Sequence, residues 1–333
     1  LSTHLNLSSS NGTNFTEARR NKFIMGETVR SAGVRAVKQL MSSSWSEVEA
    51  YLKEWNPSPF KVIMKPTDSA GSDGVTLCTS MAQCLDAFNA IYGRTNVLGL
   101  INKELLVQEY LEGTEYIIDM VSREGEHKCV AVWEYDRRPV NGAGFVCFGQ
   151  KLCTIDEPRI AELIEYQKKV VTALGIKYGP THGEVKWHKG EPVLVEVGAR
   201  CQGAEGFWIP VADAVHGYNQ VSCGIDSYLS ADKFFDIPPA PRTRATWGYV
   251  LFLIFYVGGT MEAVDKNMME ELCSMKSFMN IELFTAEGDP VKPTTNALTW
   301  AGIVSLSHAD QDVLHTEIDR IRAMEREKLF IVN

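Results

Sequence analysis

The sequence lacks several features, and each absence narrows the field. No apolar run is long enough for a membrane helix. The longest, Trp247 to Val257, is about half of the ~20 residues a span needs, and it reads as a core strand. No charged segment followed by a short apolar stretch opens the chain, so no secretory signal is expected. The eight cysteines (Cys78, Cys84, Cys129, Cys147, Cys153, Cys201, Cys223 and Cys273) form no C-x-x-C pair. Neither a zinc site nor a disulfide framework follows from them, and reduced thiols in the cytoplasm are the expectation. Basic residues are not in excess. The net charge of −9 argues against nucleic acid as a partner, since a phosphate backbone needs a basic face. No internal repeat is present, and low complexity is confined to the first sixteen residues. The sequons at Asn6, Asn11 and Asn14 read as chance matches.

What is present is the balance of a soluble enzyme. The chain has 333 residues, 45% hydrophobic and 23% charged, enough for two domains or one large one. Its opening at Leu1 and its polar first residues suggest a natural start further upstream. Helical spacing runs from Glu17 to Met41, broken at Gly33, and again from Trp45 to Trp55 with Ser44 as N-cap. Strands are expected at Phe60–Pro66, Val75–Cys78, Leu105–Tyr110, Glu115–Val121, Lys128–Tyr135 and Ala301–Leu306. Helices are expected at Met81–Tyr92, Pro158–Leu174 and about Asp310–Lys328. Many strands are adjacent hairpins, which favours α+β layers over a doubly wound parallel sheet. The organisation expected is a polar segment (1–16), a helical segment (17–55), a small α+β unit (56–112) and a large unit (113–333).

Three stretches could carry chemistry. Thr181-His182-Gly183-Glu184 and Leu194-Val195-Glu196-Val197-Gly198-Ala199-Arg200 place two carboxylates in short apolar segments. A charge inside a buried strand is costly unless paired, and Mg²⁺, a hard cation shared with phosphates, is a plausible partner for both. His182 and Glu184 share a strand face. His182 reads equally as a substrate contact and as a hydrogen-bonded structural histidine. The second stretch, Ser69-Ala70-Gly71-Ser72-Asp73-Gly74, lies between two strands and has neither P-loop order nor a helix to open. Such a hairpin is by itself most often a turn, but small residues allow backbone N–H groups to approach a phosphate. Lys65, at the end of the preceding strand, strengthens that reading. The third stretch, Val107-Gln108-Glu109-Tyr110-Leu111-Glu112-Gly113-Thr114-Glu115, could offer backbone groups to a purine and Glu115 to a ribose. Taken alone it reads better as a surface hairpin.

The order of these stretches resembles the ATP-grasp superfamily of carboxylate–amine ligases, most closely the branch of L-amino acid ligases that form dipeptides. The resemblance spans about residues 17–330, and Gly302-Ile303-Val304-Ser305-Leu306-Ser307-His308 with Ile321-Arg322 belongs to it. It implies an α+β fold of two subdomains clamping ATP, with a further N-terminal domain of the family outside this chain. It implies that Lys22 and Lys65 contact phosphate, that Ser69, Gly71, Ser72 and Gly74 form the phosphate-covering lid, and that Glu109, Tyr110 and Leu111 bind adenine. Glu115 would accept from ribose, Glu184 and Glu196 would hold one or two Mg²⁺ (or Mn²⁺), and Arg200 would steady the transferring phosphoryl group. The family's asparagine ligand is replaced here by Gly198.

The implied chemistry is attack of a substrate carboxylate on the γ-phosphorus of ATP, then displacement of phosphate from the acyl-phosphate by an amine. Lys65, Arg200 and His182 are the expected catalytic residues. In the loop after Arg200, the backbone of Gly203 could hold a carboxylate, Glu205 an ammonium group and Trp208 an apolar side chain. The expected partners are a small-molecule carboxylate and an amine, with neither nucleic acid nor membrane; a homodimer is left open. Two alternatives stand beside the ligase: an ATP-grasp carboxylase using bicarbonate, and a non-catalytic nucleotide-binding module.

Overall fold

The computed structural model describes residues 4–69, 71, 73–242 and 245–333. In chain order the elements are α1 (Lys22–Ser31), β1 (Gln39–Ser42), α2 (Trp45–Trp55), β2 (Val62–Pro66), β3 (Thr76–Cys78), α3 (Met81–Ile91), β4 (Leu105–Glu109), β5 (Glu115–Arg123), β6 (Glu126–Val140) and β7 (Ala143–Leu152). Then come α4 (Ile160–Ala173), β8 (Gly179–His188), β9 (Glu191–Gly198), α5 (Trp208–His216), α6 (Gln220–Leu229), α7 (Ala231–Asp236), β10 (Trp247–Leu253), β11 (Gly259–Val264) and α8 (Lys266–Cys273). The chain closes with β12 (Phe278–Leu283), β13 (Pro290–Val291), β14 (Gly302–His308), α9 (Gln311–Arg326) and β15 (Phe330–Val332). The architecture is α+β with antiparallel sheets, as the hairpin spacing implied.

The described strands form a four-stranded sheet of order β1-β4-β2-β3, an eight-stranded sheet of order β12-β14-β10-β7-β6-β5-β8-β9 and a three-stranded sheet of order β13-β11-β15. In the small sheet, Val62 and Met64 point into a core with Val48 and Leu52 of α2 and Phe88 and Ile91 of α3. The two-residue period then turns Ile63 and Lys65 to the opposite face. On one face of the large sheet, Ile118, Met120 and Val185 pack against Leu163 and Val170 of α4 and Met25 and Val29 of α1. On the other, Ile117, Trp133 and Leu152 lie under Trp208, Val211 and Val215 of α5.

One segment departs from the sequence expectation. The helix expected over 17–41 stops at Ser31, and Gln39–Ser42 form a strand paired with Leu105–Gln108. Gly33, at φ +76°, turns the chain out of the helix. Good helix formers at 39–41 lose to a sheet edge that offers ladder hydrogen bonds and burial, as tertiary context overrides propensity. Strand β1 and helix α2 therefore belong with the small sheet. Helix α2 has the expected bounds, but Ser44 makes no side-chain cap bond; its hydroxyl meets Ser46 instead, at 2.8 Å. The eight cysteines are free thiols.

Candidate active site

Strand register places the site. Across the large sheet, Glu196 pairs with Glu184, Glu184 with Ile117, Ile117 with Trp133 and Trp133 with Leu152. One row along, Gly198 pairs with His182, and His182 with Asp119. Residues in such rows share a face. The face is apolar under α5 and carries the two carboxylates beyond the helix edge. A cavity of about 350 Å³ opens there, between this face and the Ile63, Lys65 and Gln108 face of the small sheet.

Among the described residues, most of the charges in the cavity are paired, and Lys65 is the main exception. Lys22 Nζ lies 2.9 Å from Glu196 Oε2 and donates to the Ser69 carbonyl at 2.8 Å. It thus ties the hairpin above the cavity to the carboxylate below. Glu184 accepts from Tyr135 Oη at 3.0 Å, and its Oε1 is 3.7 Å from His182 Nε2. Burial would push Glu184 up, but His182, Arg137 and Tyr135 outweigh it and hold the carboxyl at about 2. His182 is gripped from its other nitrogen by Asp119, at 3.1 Å. Burial lowers the imidazole, yet Asp119 and Glu184 prevail and raise it to about 9. Asp119 is itself fully buried and accepts from Trp133 Nε1 at 3.1 Å. Lys65 is buried, which pulls its amine down to about 8 against the attraction of Glu196.

The cavity brings together most of the residues singled out in the sequence. Lys22, Lys65, Ser69, Gly71, Glu109, Tyr110, Leu111, Glu115, His182, Glu184, Glu196, Arg200 and Gly203 all line it. The hairpin bears Gly71 and Gly74 at φ +67°. Gly74 is turned toward Pro66, where an added Cβ would lie 3.0 Å from the ring. Ser72 lies outside the described residues. Ser69 Oγ donates to Asp73 at 2.8 Å, closing the hairpin on itself.

Two positions, Trp208 and Glu205, fall outside the cavity, and two that line it, Glu109 and Glu115, have their carboxylates ion-paired. Trp208 is core: it is 2% exposed, packs in the α5 layer and donates through Nε1 to the Gly203 carbonyl at 2.8 Å. It was expected to meet an apolar substrate side chain, but it instead holds the loop that lines the cavity. Glu205 is exposed, at φ +50°, and does not line the cavity. The Glu109 carboxylate is committed to Arg35 in a two-pronged pair at 2.9 Å and to the Lys38 N–H at 3.1 Å. Glu115 is buried between Arg137, at 2.7 Å, and Lys186, at 3.6 Å.

Sequence reasoning missed Asp119, Tyr135, Arg137, Gln150 and Trp300; Phe252, which also lines the cavity, is core as its apolar run suggested. Strand β6 runs five residues beyond the expected end at Tyr135, to Val140. Tyr135 and Arg137, two apart, therefore share the cavity face, and the guanidinium sits 4.2 Å from the Tyr135 ring centroid. The alternation Trp133, Tyr135, Arg137 was the available signal.

A family profile described as an ATP-grasp domain matches residues 58–206, the stretch that contains the hairpin, the connector and both glutamates. Residues 58–206 thus carry the pattern of an ATP-grasp domain. Among curated relatives, Dapdiamide A synthase of Enterobacter agglomerans is 29% identical over 98% of this chain and 75% of its own length. Alanine–anticapsin ligase of Bacillus subtilis (strain 168) is 29% identical over 68% of this chain. The chain spans half of that second relative's length. Among solved structures, the L-amino acid ligase from Bacillus licheniformis superposes with a TM-score of 0.76 at 18% identity, over 97% of this chain and 75% of that one. At that identity the likeness speaks for the ATP-grasp fold alone. No helix of the described residues is long and apolar enough to cross a membrane.

Proposed function

We propose that this chain is an ATP-dependent carboxylate–amine ligase that joins amino-acid substrates through an acyl-phosphate and releases ADP and phosphate. The observation that carries the reading is the opposition of Glu184 and Glu196 on the floor of a cavity whose roof brings Lys65 and the Lys22-tethered hairpin. The names of the curated relatives support the same reading.

The carboxylates suit a hard divalent cation. Both belong to facing residues, and their present partners, Lys22 on one and Tyr135 and His182 on the other, are groups that a cation could displace or complement. Glu184 and Glu196 would hold Mg²⁺, which when bound neutralises phosphate charge. Gly198 adds no ligand atom. A Cβ there would meet Arg200 only at 3.4 Å, so the backbone does not demand glycine.

The chain's own residues supply the rest. Lys22, Lys65 and Arg200 bring positive charge to the cavity, where positioning and electrostatics are the main sources of phosphoryl-transfer catalysis. Ile63, Tyr110 and Leu111 offer apolar surface and connector backbone to a purine, and Ser69 and Gly71 cover the phosphates. The hairpin excludes water from an acyl-phosphate that would otherwise hydrolyse. His182 is held through Nδ1 by Asp119, and its Nε2, 3.7 Å from Glu184, would have to leave that carboxylate to meet a substrate carboxylate.

The test is an ADP-release screen of amino-acid pairs with mass spectrometry of products. Pair-dependent ADP with an amide product supports the ligase. ADP release that depends on bicarbonate instead would move the assignment to a carboxylase, and tight ATP binding with no turnover to a binding module.

A further inference from the structure

Two donors approach the same oxygen of Glu184, and only one of them binds it. Tyr135 Oη donates to Oε1 at 3.0 Å. His182 Nε2 stands 3.7 Å from that oxygen, beyond hydrogen-bond reach. Both approaches end on Oε1, which leaves Oε2 to the cavity that Glu184 lines. Glu196 is held otherwise, by the Lys22 ammonium at 2.9 Å, a charge that an incoming cation can replace.

Tyr135 is itself fixed in place. Trp133 lies in the sheet row of Glu184 and Ile117, and Tyr135, two residues on, takes the same face. Its hydroxyl therefore reaches diagonally over β5 to β8. The Arg137 guanidinium lies 4.2 Å from the centre of the Tyr135 ring. That guanidinium is anchored in turn by Glu115 at 2.7 Å and by the Phe145 carbonyl at 3.2 Å. A ring packed against an anchored guanidinium has little freedom to swing, so the hydroxyl is aimed by its surroundings.

Without the hydroxyl, Oε1 would lose its donor in a largely enclosed site, and the nearest donor left would be His182 Nε2. A small rotation would close the carboxylate on the imidazole. Glu184 would then turn from the cavity, and His182 would be spent on Glu184. Resting on the ligase reading above and on the metal role it gives Glu184, we infer that Tyr135 is a positioning residue: its hydroxyl holds Glu184 off His182, so that Oε2 is presented to a divalent cation and the imidazole stays free for substrate.

The experiment titrates Mn²⁺ into the full chain with ADP present and follows free Mn²⁺ by electron paramagnetic resonance. Wild type is compared with Tyr135→Phe, Glu184→Gln and the double variant. Tyr135→Phe removes the hydroxyl and keeps the ring. It should weaken Mn²⁺ binding about tenfold or more, as loss of an outer hydrogen bond to a ligating carboxylate does. ADP affinity without metal should stay as in wild type, which a general loss of structure would not allow. In the Glu184→Gln background the same change should have no further effect, because the hydroxyl acts through that carboxylate. Tyr135→Met keeps apolar bulk and serves as the second variant should the phenylalanine fail to fold. If Glu184→Gln weakens Mn²⁺ binding and a folded Tyr135→Phe does not, this inference is overturned and the ligase reading stands. The same follows if the two losses simply add. Mn²⁺ binding unchanged in Glu184→Gln overturns the metal role in the ligase reading, and this inference with it.

Discussion

Glu184 and Glu196 stand opposite one another across the β8–β9 ladder, yet their surroundings differ. Glu196 is half-buried and meets Lys22, whereas Glu184 is enclosed by His182 and Tyr135. Glutamine at either position should lower ADP release by at least about 100-fold and weaken Mn²⁺ binding measured by calorimetry. Stability separates the two. Glu196→Gln should cost under about 1 kcal/mol, because its ion pair is partly exposed. Glu184→Gln should cost about 3 kcal/mol, because it strips a buried partner from His182. Equal losses in urea unfolding would contradict this division.

Lys65 should link nucleotide binding to pH. Its amine titrates at about 8 because it is buried. Phosphate nearby favours the ammonium, so ADP binding at pH 8.5 should take up part of a proton. Affinity should fall as pH rises through 8. Without nucleotide the sign is different: between about 8 and 10.5 the folded chain binds fewer protons here than the unfolded chain. This group's contribution to stability therefore rises with pH across that interval. Calorimetry in two buffers of different ionisation enthalpy reads the uptake, which Lys65→Met should abolish while weakening ADP binding about 10- to 100-fold.

Asp119 should govern the protonation of His182. The imidazole is raised to about 9, above its ordinary 6.5. Stability from this group is fully present below 6.5 and is lost as pH climbs through 9. Asp119→Asn should move the His182 titration downward, followed by NMR. The melting-temperature gap between variant and wild type should be widest near pH 6 and narrow toward pH 9. A gap that stays constant over that range would sink the linkage.

Gly113 marks the connector between the small and large sheets. It sits at φ +119°, and an added Cβ would fall 2.1 Å from the Trp187 carbonyl oxygen, a backbone atom. Gly113→Ala should cost about 3 kcal/mol or more in chemical denaturation. By contrast, Gly198→Asn should fold normally and tighten Mn²⁺ binding, since it adds an oxygen donor beside Glu196 without a severe contact. Unchanged metal affinity in a well-folded Gly198→Asn would place the ion away from residue 198.

Much of the site was legible because its signals are local. A carboxylate inside an apolar strand, a lysine closing a strand before proline and a glycine hairpin each stand out within ten residues. The faces followed from the two-residue period, which put His182 beside Glu184. Trp208 shows where this ends. A large aromatic after a glycine-spaced loop reads alike whether it faces a substrate or a core, and only the packing of α5 on the large sheet decides. Gln39–Ser42 shows the same for secondary structure, since the β4 edge that converts it to strand lies some sixty residues away.

The sequence by itself determined which elements form over most of the chain, where the carboxylates and lysines fall on them, and which strand face each takes. Those depend on spacing and on the cost of burying charge. Tertiary structure alone decided that Lys22 reaches across to Glu196 and Ser69 and that Asp119 stands behind His182. Such pairings join strands and helices distant in the chain. Their energies arise from desolvation and from contacts that exist only once the two sheets enclose the cavity.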